Sequence, residues 1–287
     1  MSIAATPDIR WTRWLTPRGH FDWKVVPAAA ILALVAVMAI AAPIIAPLDP
    51  DRVNLEAAFQ GIGAGHLLGT DELGRDILSR IIWGARTSLA GPLLVVIFST
   101  MAGTLIAVSA AWMGGRFDAV VGLITDVALA FPGLLLAVLA VALFGPGLVA
   151  PVVALVIAYT PWVARLTRSA ALRERSQPYI AALTVQGLPG FRVCIRHLVP
   201  NIAPLILAQC TINYGYAVVD LAAISFLGLG VQAPTPDWGS MVATGEAGIL
   251  QGQPEVSIAA GAMIVLTVVA LNIVGEAIAT RSAVGRR

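Results

Sequence analysis

The sequence predicts an all-α membrane protein with six transmembrane helices, and three observations predict it. Charge is scarce: 12% of the 287 residues are charged, about half of the roughly 25% usual for soluble domains. Long runs without a charge recur at 25–48, 87–115, 127–164, 197–219 and 256–275. A bilayer-spanning helix needs about 20 apolar residues, so each run holds at least one span. Finally, Lys and Arg are unevenly divided among the segments between the runs.

The elements follow in order. The first run gives a helix at 25–46. Its apolar length exceeds the roughly 7–15 residues of a signal-peptide core, although the small residues of "AAPIIAP" leave cleavage open. The second run gives 88–111. The third is too long for one span, and "FGPG" at 144–147 divides it into 119–143 and 148–166. The last two give 201–223 and 256–278. The organisation expected is a tail and first helix over 1–47, an extracytoplasmic segment over 48–86, a five-helix core over 87–280, and a tail over 281–287. A cytoplasmic loop, 167–200, lies inside the core.

Basic residues orient the bundle, because cytoplasmic loops carry the excess of Lys and Arg. With the N-terminus inside, only Arg52, Arg75, Arg80 and Arg86 of the 18 basic residues fall outside. That asymmetry predicts a multi-pass protein of the plasma membrane, in contact with lipid, with both termini cytoplasmic. The loop 167–200 then faces the cytoplasm.

Several chemistries lack their residues. Lys24 is the single lysine and no G-x-x-x-x-G-K-[ST] surrounds it, so the chain has no loop to cradle ATP phosphates. His20, His66 and His197 lie far apart, and no H-E-x-x-H or C-x-x-C occurs, so no metal site is expected. No nucleophile elbow is present. Basic clusters with interleaved aromatics are absent, which argues against nucleic acid. Cys194 and Cys210 read as small apolar filler rather than a disulfide. Asp126, Asp220 and Glu276 are the carboxylates within or near spans. Such charges normally mark ion pathways. Near helix edges they read instead as hydrogen-bonding groups.

The loop 176–201, "SQPYIAALTVQGLPGFRVCIRHLVPN", carries the clearest local signal. Ser176 is a candidate cap and Pro178 suits a first turn. Gly187 suits the position after the last turn, and Pro189 forbids continuation. A helix over 178–186 follows, about 13 Å long. Alone in water so short a helix is marginal, so it needs its own membrane domain or a cytoplasmic partner to pack on. Ile180, Leu183 and Gly187 share one side at helical spacing.

This stretch resembles the cytoplasmic loop signature of ATP-binding-cassette import permeases, through Ala182, Gly187, Arg196, His197, Pro200 and Asn201. It departs from that signature at Ala181, where the family carries an acid, at Leu183 for a second alanine and at Thr184 for an arginine. "LGTDELGRDILSRIIWGARTSL" (68–89), "ALAFPGLLLAVL" (128–139), "SFLGLGVQAPTPDWGSM" (225–241) and "LNIVGE" (271–276) resemble further blocks of the peptide and nickel branch. In order and spacing they cover residues 66 to 276. The family's usual Arg-Asp-x-Leu-Asp-Pro tail is absent.

The resemblance implies a type I permease fold and a role as half of the translocation path for di- or oligopeptides. Nickel or metal-chelate uptake is the neighbouring alternative, and a stand-alone secondary transporter is the alternative of another class. It implies a homologous second permease, two ATP-binding subunits (or one fused ATPase) and an extracytoplasmic substrate-binding protein. No cofactor is expected on this chain; ATP and Mg belong to the partner subunits. Tyr179, Ile180, Ala181, Ala182, Leu183, Gln186 and Gly187 would form the ATPase-coupling element. With the acid replaced by Ala181, docking is expected to rest on Ile180, Leu183 and Gly187. Asp71, Arg75, Asp76, Phe226 and Trp238 would lie at the outer mouth or a partner contact. The charged trio also reads as an exposed, self-paired helix start, a kind of pair that contributes only about 0–1 kcal/mol.

Overall fold

The computed structural model describes residues 23–63 and 65–284. The N-terminal stretch 1–22, and with it His20, lies outside the described residues. Six elements cross from one end of the bundle to the other. They are α1 (Val25–Ile45), α2 (Ile77–Met113), a bent pair α3 (Gly115–Ala128) and α4 (Gly133–Phe144), α5 (Val149–Arg175), α8 (Val199–Phe226) and α11 (Glu255–Val284). Between α5 and α8 lie α6 (Pro178–Val185), α7 (Gly190–Val193) and a π-helical turn, Cys194–Leu198. Between α8 and α11 lie α9 (Trp238–Thr244) and α10 (Glu246–Leu250).

Two expected boundaries are corrected. The helix placed at 88–111 begins at Ile77, inside the segment read as a connection. Ile77, Ile81, Ile82 and Ala85 are buried there, so its first turns have their own core to pack against. The continuous span over 119–143 is two helices bent by 76°. Pro132 lies at that break in extended backbone (φ −64°, ψ 122°), because a proline inside a helix removes a hydrogen bond and its ring clashes with the preceding turn. The loop 167–200 is largely helical, since α5 runs on to Arg175 and α8 continues from the π turn.

α2 is the spine. On one side Val95 and Val96 join Ala137 of α4, Leu155 of α5 and Ala217, Leu221 and Ile224 of α8 in a core. On the other, Ile77, Ile81 and Ala85 meet Val35 of α1, Trp238 and Met241 of α9, and Val256 and Ala260 of α11. A third core, Ala111, Ala170, Ala171, Leu198 and Ile202, ties the far end of α2 to α5 and α8. Long side chains such as Ile40, Ile44 and Leu105 point outward, as on a surface that meets lipid.

Small residues set the helix spacing, as they do where lipid leaves no hydrophobic drive between helices. A Cβ at Gly103 of α2 would stand 2.8 Å from Val163 and 2.9 Å from the Thr160 carbonyl oxygen, both on α5. Gly103→Val should therefore separate α2 from α5 and cost about 1–3 kcal/mol of overpacking. A lowered melting temperature in nanodiscs is expected. Gly261→Ala, with nothing within 4 Å, should leave it unchanged.

Candidate functional site

Residues singled out by the sequence gather at opposite ends of the bundle. At the α6 end, the short helix forms from Pro178, which occupies its first turn. Ser176 does not cap it. Its hydroxyl instead donates to the Arg173 carbonyl (2.7 Å) at the end of α5, while Gln177 takes the extended N-cap position. Gly187 has φ +80°, and its N–H donates to the Thr184 carbonyl (3.0 Å), while Leu188 N–H donates to that of Leu183 (3.2 Å). This pair of bonds is the Schellman stop, which favours glycine at the left-handed position.

Two hydrogen bonds of Tyr179 clamp α6 to the membrane helices, and a third joins their partners. The Tyr179 hydroxyl donates to Glu174 Oε1 (2.6 Å), and Asn201 Nδ2 donates to both Glu174 Oε1 (2.9 Å) and the Tyr179 oxygen (2.6 Å). Burial first, then the bond to Glu174, pushes the Tyr179 phenol above its ordinary pKa, so it remains a donor at neutral pH. Arg175 Nη1 donates to the Ala111 carbonyl of α2 (2.5 Å), and its guanidinium lies 5.6 Å from the Trp112 ring centroid. That carbonyl is one of the four a helix leaves unpaired at its C-terminus, where a cation is also favoured by the dipole. Gly190 then approaches Trp112 so closely that a Cβ would lie 2.3 Å from the indole nitrogen.

The exposed face of α6 differs from the one expected to dock. Ile180 is 3% exposed, buried inside the chain, and Leu183 is half-buried. Ala181, Ala182, Gln186 and Gly187 are exposed, Tyr179 is partly so, and Val185 (89% exposed) and Phe191 (79%) project furthest. Sequence spacing found the amphipathic side but could not say which side its own bundle would take.

At the α9 end, the charged trio is not an exposed helix start. Asp71, Arg75 and Asp76 are all buried. Asp71 accepts from the Leu73 and Arg75 backbone N–H groups (2.9 Å each) and from Arg75 Nε (2.7 Å), with Arg80 Nε at 3.7 Å. Asp76 caps α2, accepting from Ser79 N–H (2.8 Å) and Ser79 Oγ (2.7 Å), with His66 Nδ1 at 2.8 Å. Arg80 Nη1 donates to the Pro50 carbonyl (3.0 Å) and the Pro234 carbonyl (3.4 Å). These side chains therefore join connections distant in sequence and leave little surface for another subunit.

Trp238 is fully buried, its Nε1 donating to the Ile81 carbonyl (3.0 Å), and a Cβ on Gly84 would stand 3.0 Å from its ring. Asp237 caps α9 through Ser240 N–H (3.1 Å) and accepts from Ser88 Oγ (2.8 Å). Phe226, by contrast, is 48% exposed and does not pack inside this chain. Gly84 is the signal that sequence reading missed: a small residue one turn before "TSL" makes the notch for the indole.

The three span carboxylates also separate. Asp126 faces Arg165 at 3.3 Å with both exposed, and Glu276 is exposed. Asp220 accepts from the Tyr159 hydroxyl (2.9 Å). A pair not foreseen, Asp118 with Arg168, joins α3 to α5 through two bonds of 2.5 and 2.6 Å.

Residues 102–284 match the family described as binding-protein-dependent transport system inner membrane component. The chain is 38% identical over 251 residues to the di/tripeptide transport system permease protein DppC of Pseudomonas aeruginosa (strain UCBPP-PA14), covering 85% of this chain and 82% of that protein. It is 35% identical over 253 residues to the probable D,D-dipeptide transport system permease protein DdpC of Escherichia coli (strain K12), covering 88% and 85%. To the nickel transport system permease protein NikC of the same strain it is 33% identical over 256 residues, covering 89% and 92%.

Asp71→Ala should leave Arg75 buried without its carboxylate, and Arg80 with only the Asp51 carboxylate at 3.5 Å, a loss of about 3–5 kcal/mol. Thermal unfolding of the purified chain in nanodiscs should show it as a large drop in melting temperature. If Asp71 instead served a partner contact, stability would hold and only subunit association would fall.

Proposed function

The chain belongs to the family of binding-protein-dependent transport system inner membrane components, and from that premise we propose that it is the permease subunit of an ATP-driven importer of short peptides. The observation that carries the mechanism is the clamped, partly exposed helix α6. Energy for import comes from partner ATPases, because the chain has no phosphate-cradling loop. A homologous second permease completes the path, and a binding protein delivers cargo at the α9 end. The α6 end faces the cytoplasm, in keeping with its share of the basic residues, and both termini lie on that side.

In this reading Ala181, Ala182, Val185 and Gln186 enter a groove on an ATPase. Motion of the ATPase passes to α2, α5 and α8 together, through Arg175, Glu174, Tyr179 and Asn201. The bundle thereby shifts between two states, its equilibrium set by ATP. Peptide cargo is favoured because DppC and DdpC are named for dipeptide transport. The likeness to NikC keeps nickel or metal-chelate uptake as a second reading. Uptake assays with labelled dipeptide and with labelled nickel separate the two.

Val185→Asp changes a side chain that touches almost nothing in this chain, and exposed substitutions of that kind shift stability by only about 0.5 kcal/mol. It should nevertheless abolish ATP-driven uptake in proteoliposomes and weaken co-purification with the ATPases. Unchanged uptake would remove α6 from coupling. Gly187→Leu, strained at φ +80° by roughly 1 kcal/mol, should lower uptake per ATP hydrolysed.

A further inference from the structure

A groove of about 470 Å³ opens where the α3–α4 elbow meets α5 and α8. Phe131, Tyr159, Trp162, Asn213, Tyr216 and Asp220 are among its lining residues. Its polar groups are incompletely used. Asp220 Oδ2 accepts from the Tyr159 hydroxyl, and among the described residues Oδ1 accepts nothing. Asn213 is 2% exposed; its Oδ1 accepts from Gln209 Nε2 (2.8 Å), yet its Nδ2 donates to no protein atom. A carboxylate within a span and an orphaned amide donor are each costly unless something else meets them. Around them stand exposed aromatic faces, Phe131 (60%), Trp162 (53%) and Tyr216 (61%).

The two unsatisfied groups demand opposite chemistries. Asp220 offers an acceptor with negative charge, matched by an ammonium, and aromatic faces nearby attract the same cation. Asn213 offers a donor, matched by a carbonyl or carboxylate oxygen. They stand seven residues apart on α8, about 10 Å along its axis. An extended chain covers about 3.3–3.6 Å per residue, so a segment of about three residues bridges them.

We infer that this groove is a transit subsite for a short peptide, with the Asp220 carboxylate holding its terminal ammonium and the Asn213 amide donating to a backbone or terminal oxygen. The inference rests on the peptide reading above. Tyr159 orients the carboxylate, and the elbow at Phe131 and Pro132 supplies the wall that motion of α3 against α4 would open or close.

The test uses the assembled permease–ATPase complex in nanodiscs without binding protein, and labelled trialanine as probe. Saturable binding is expected. Asp220→Asn should weaken it tenfold or more, and Asp220→Glu should restore most of it. N-acetyl-trialanine should bind the wild type about as poorly as trialanine binds Asp220→Asn, with no further loss when both changes are combined. Absence of wild-type binding, equal affinity for Asp220→Asn, or multiplying losses would overturn the subsite. So would failure of Asp220→Asn to co-purify with the second permease, which would assign Asp220 to an inter-subunit pair. Peptide uptake by the wild-type importer with its binding protein is scored separately: its loss overturns the peptide reading, whereas uptake without subsite binding overturns only this inference.

Discussion

The architecture depends on how one long helix is ended. α2 spans 37 residues, about 55 Å and longer than the roughly 30 Å hydrocarbon core, and the backbone groups left unpaired at its two termini find partners in the protein on either side. At its start the Asp76 carboxylate accepts from the Ser79 N–H, and at its finish the Arg175 guanidinium takes the Ala111 carbonyl. Both charges also suit the helix dipole. Each cap brings a second segment with it: the connection before α2, buried at 69–71 and 74–76, at one end, and the α6–α7 turn at the other. The two ends of the bundle are thus tied to how α2 begins and finishes.

Those ties show where rigidity and freedom lie. The α9 end is pinned by the Asp71–Arg75–Arg80 network and by Trp238 in the Gly84 notch. The α6 end is clamped by hydrogen bonds and by the close approach of Gly190 to Trp112. Between them, the bent α3–α4 pair buries only Thr125, Ala137 and Val141, with Asp118 tying α3 to Arg168 of α5. An element so lightly packed is the one whose movement costs least, and it borders the groove that holds Asp220.

Much of this was legible in the sequence, and the gaps have physical reasons. Charge-free runs located the spans because lipid tolerates little else, and Gly187 with Pro189 marked the end of α6 because few residues can take a positive φ. The start of α2 was misplaced because Arg75, Arg80 and Arg86 look like surface charge until Asp71 and the Pro50 carbonyl are seen to meet two of them. The break at Pro132 was hidden by unbroken hydropathy over 127–164. Ile180 was assigned to docking because periodicity identifies an apolar side without naming its partner. Arg175 carried no motif at all; only the proximity of Trp112 and Ala111 reveals its part. The family resemblance supplied coupling as a role, and the side chains supply how α6 is held.

The central claim is that α6 and the end of α2 move as one body. Spin labels at Val185 and Met113, both exposed, with Cys194 and Cys210 replaced by alanine, measure it in the assembled complex. One narrow distance distribution is expected, the same without nucleotide and with ATP trapped. A broad distribution, or a shift of several ångströms between the two states, would contradict it, because α6 would then swing free of the helices it is said to drive.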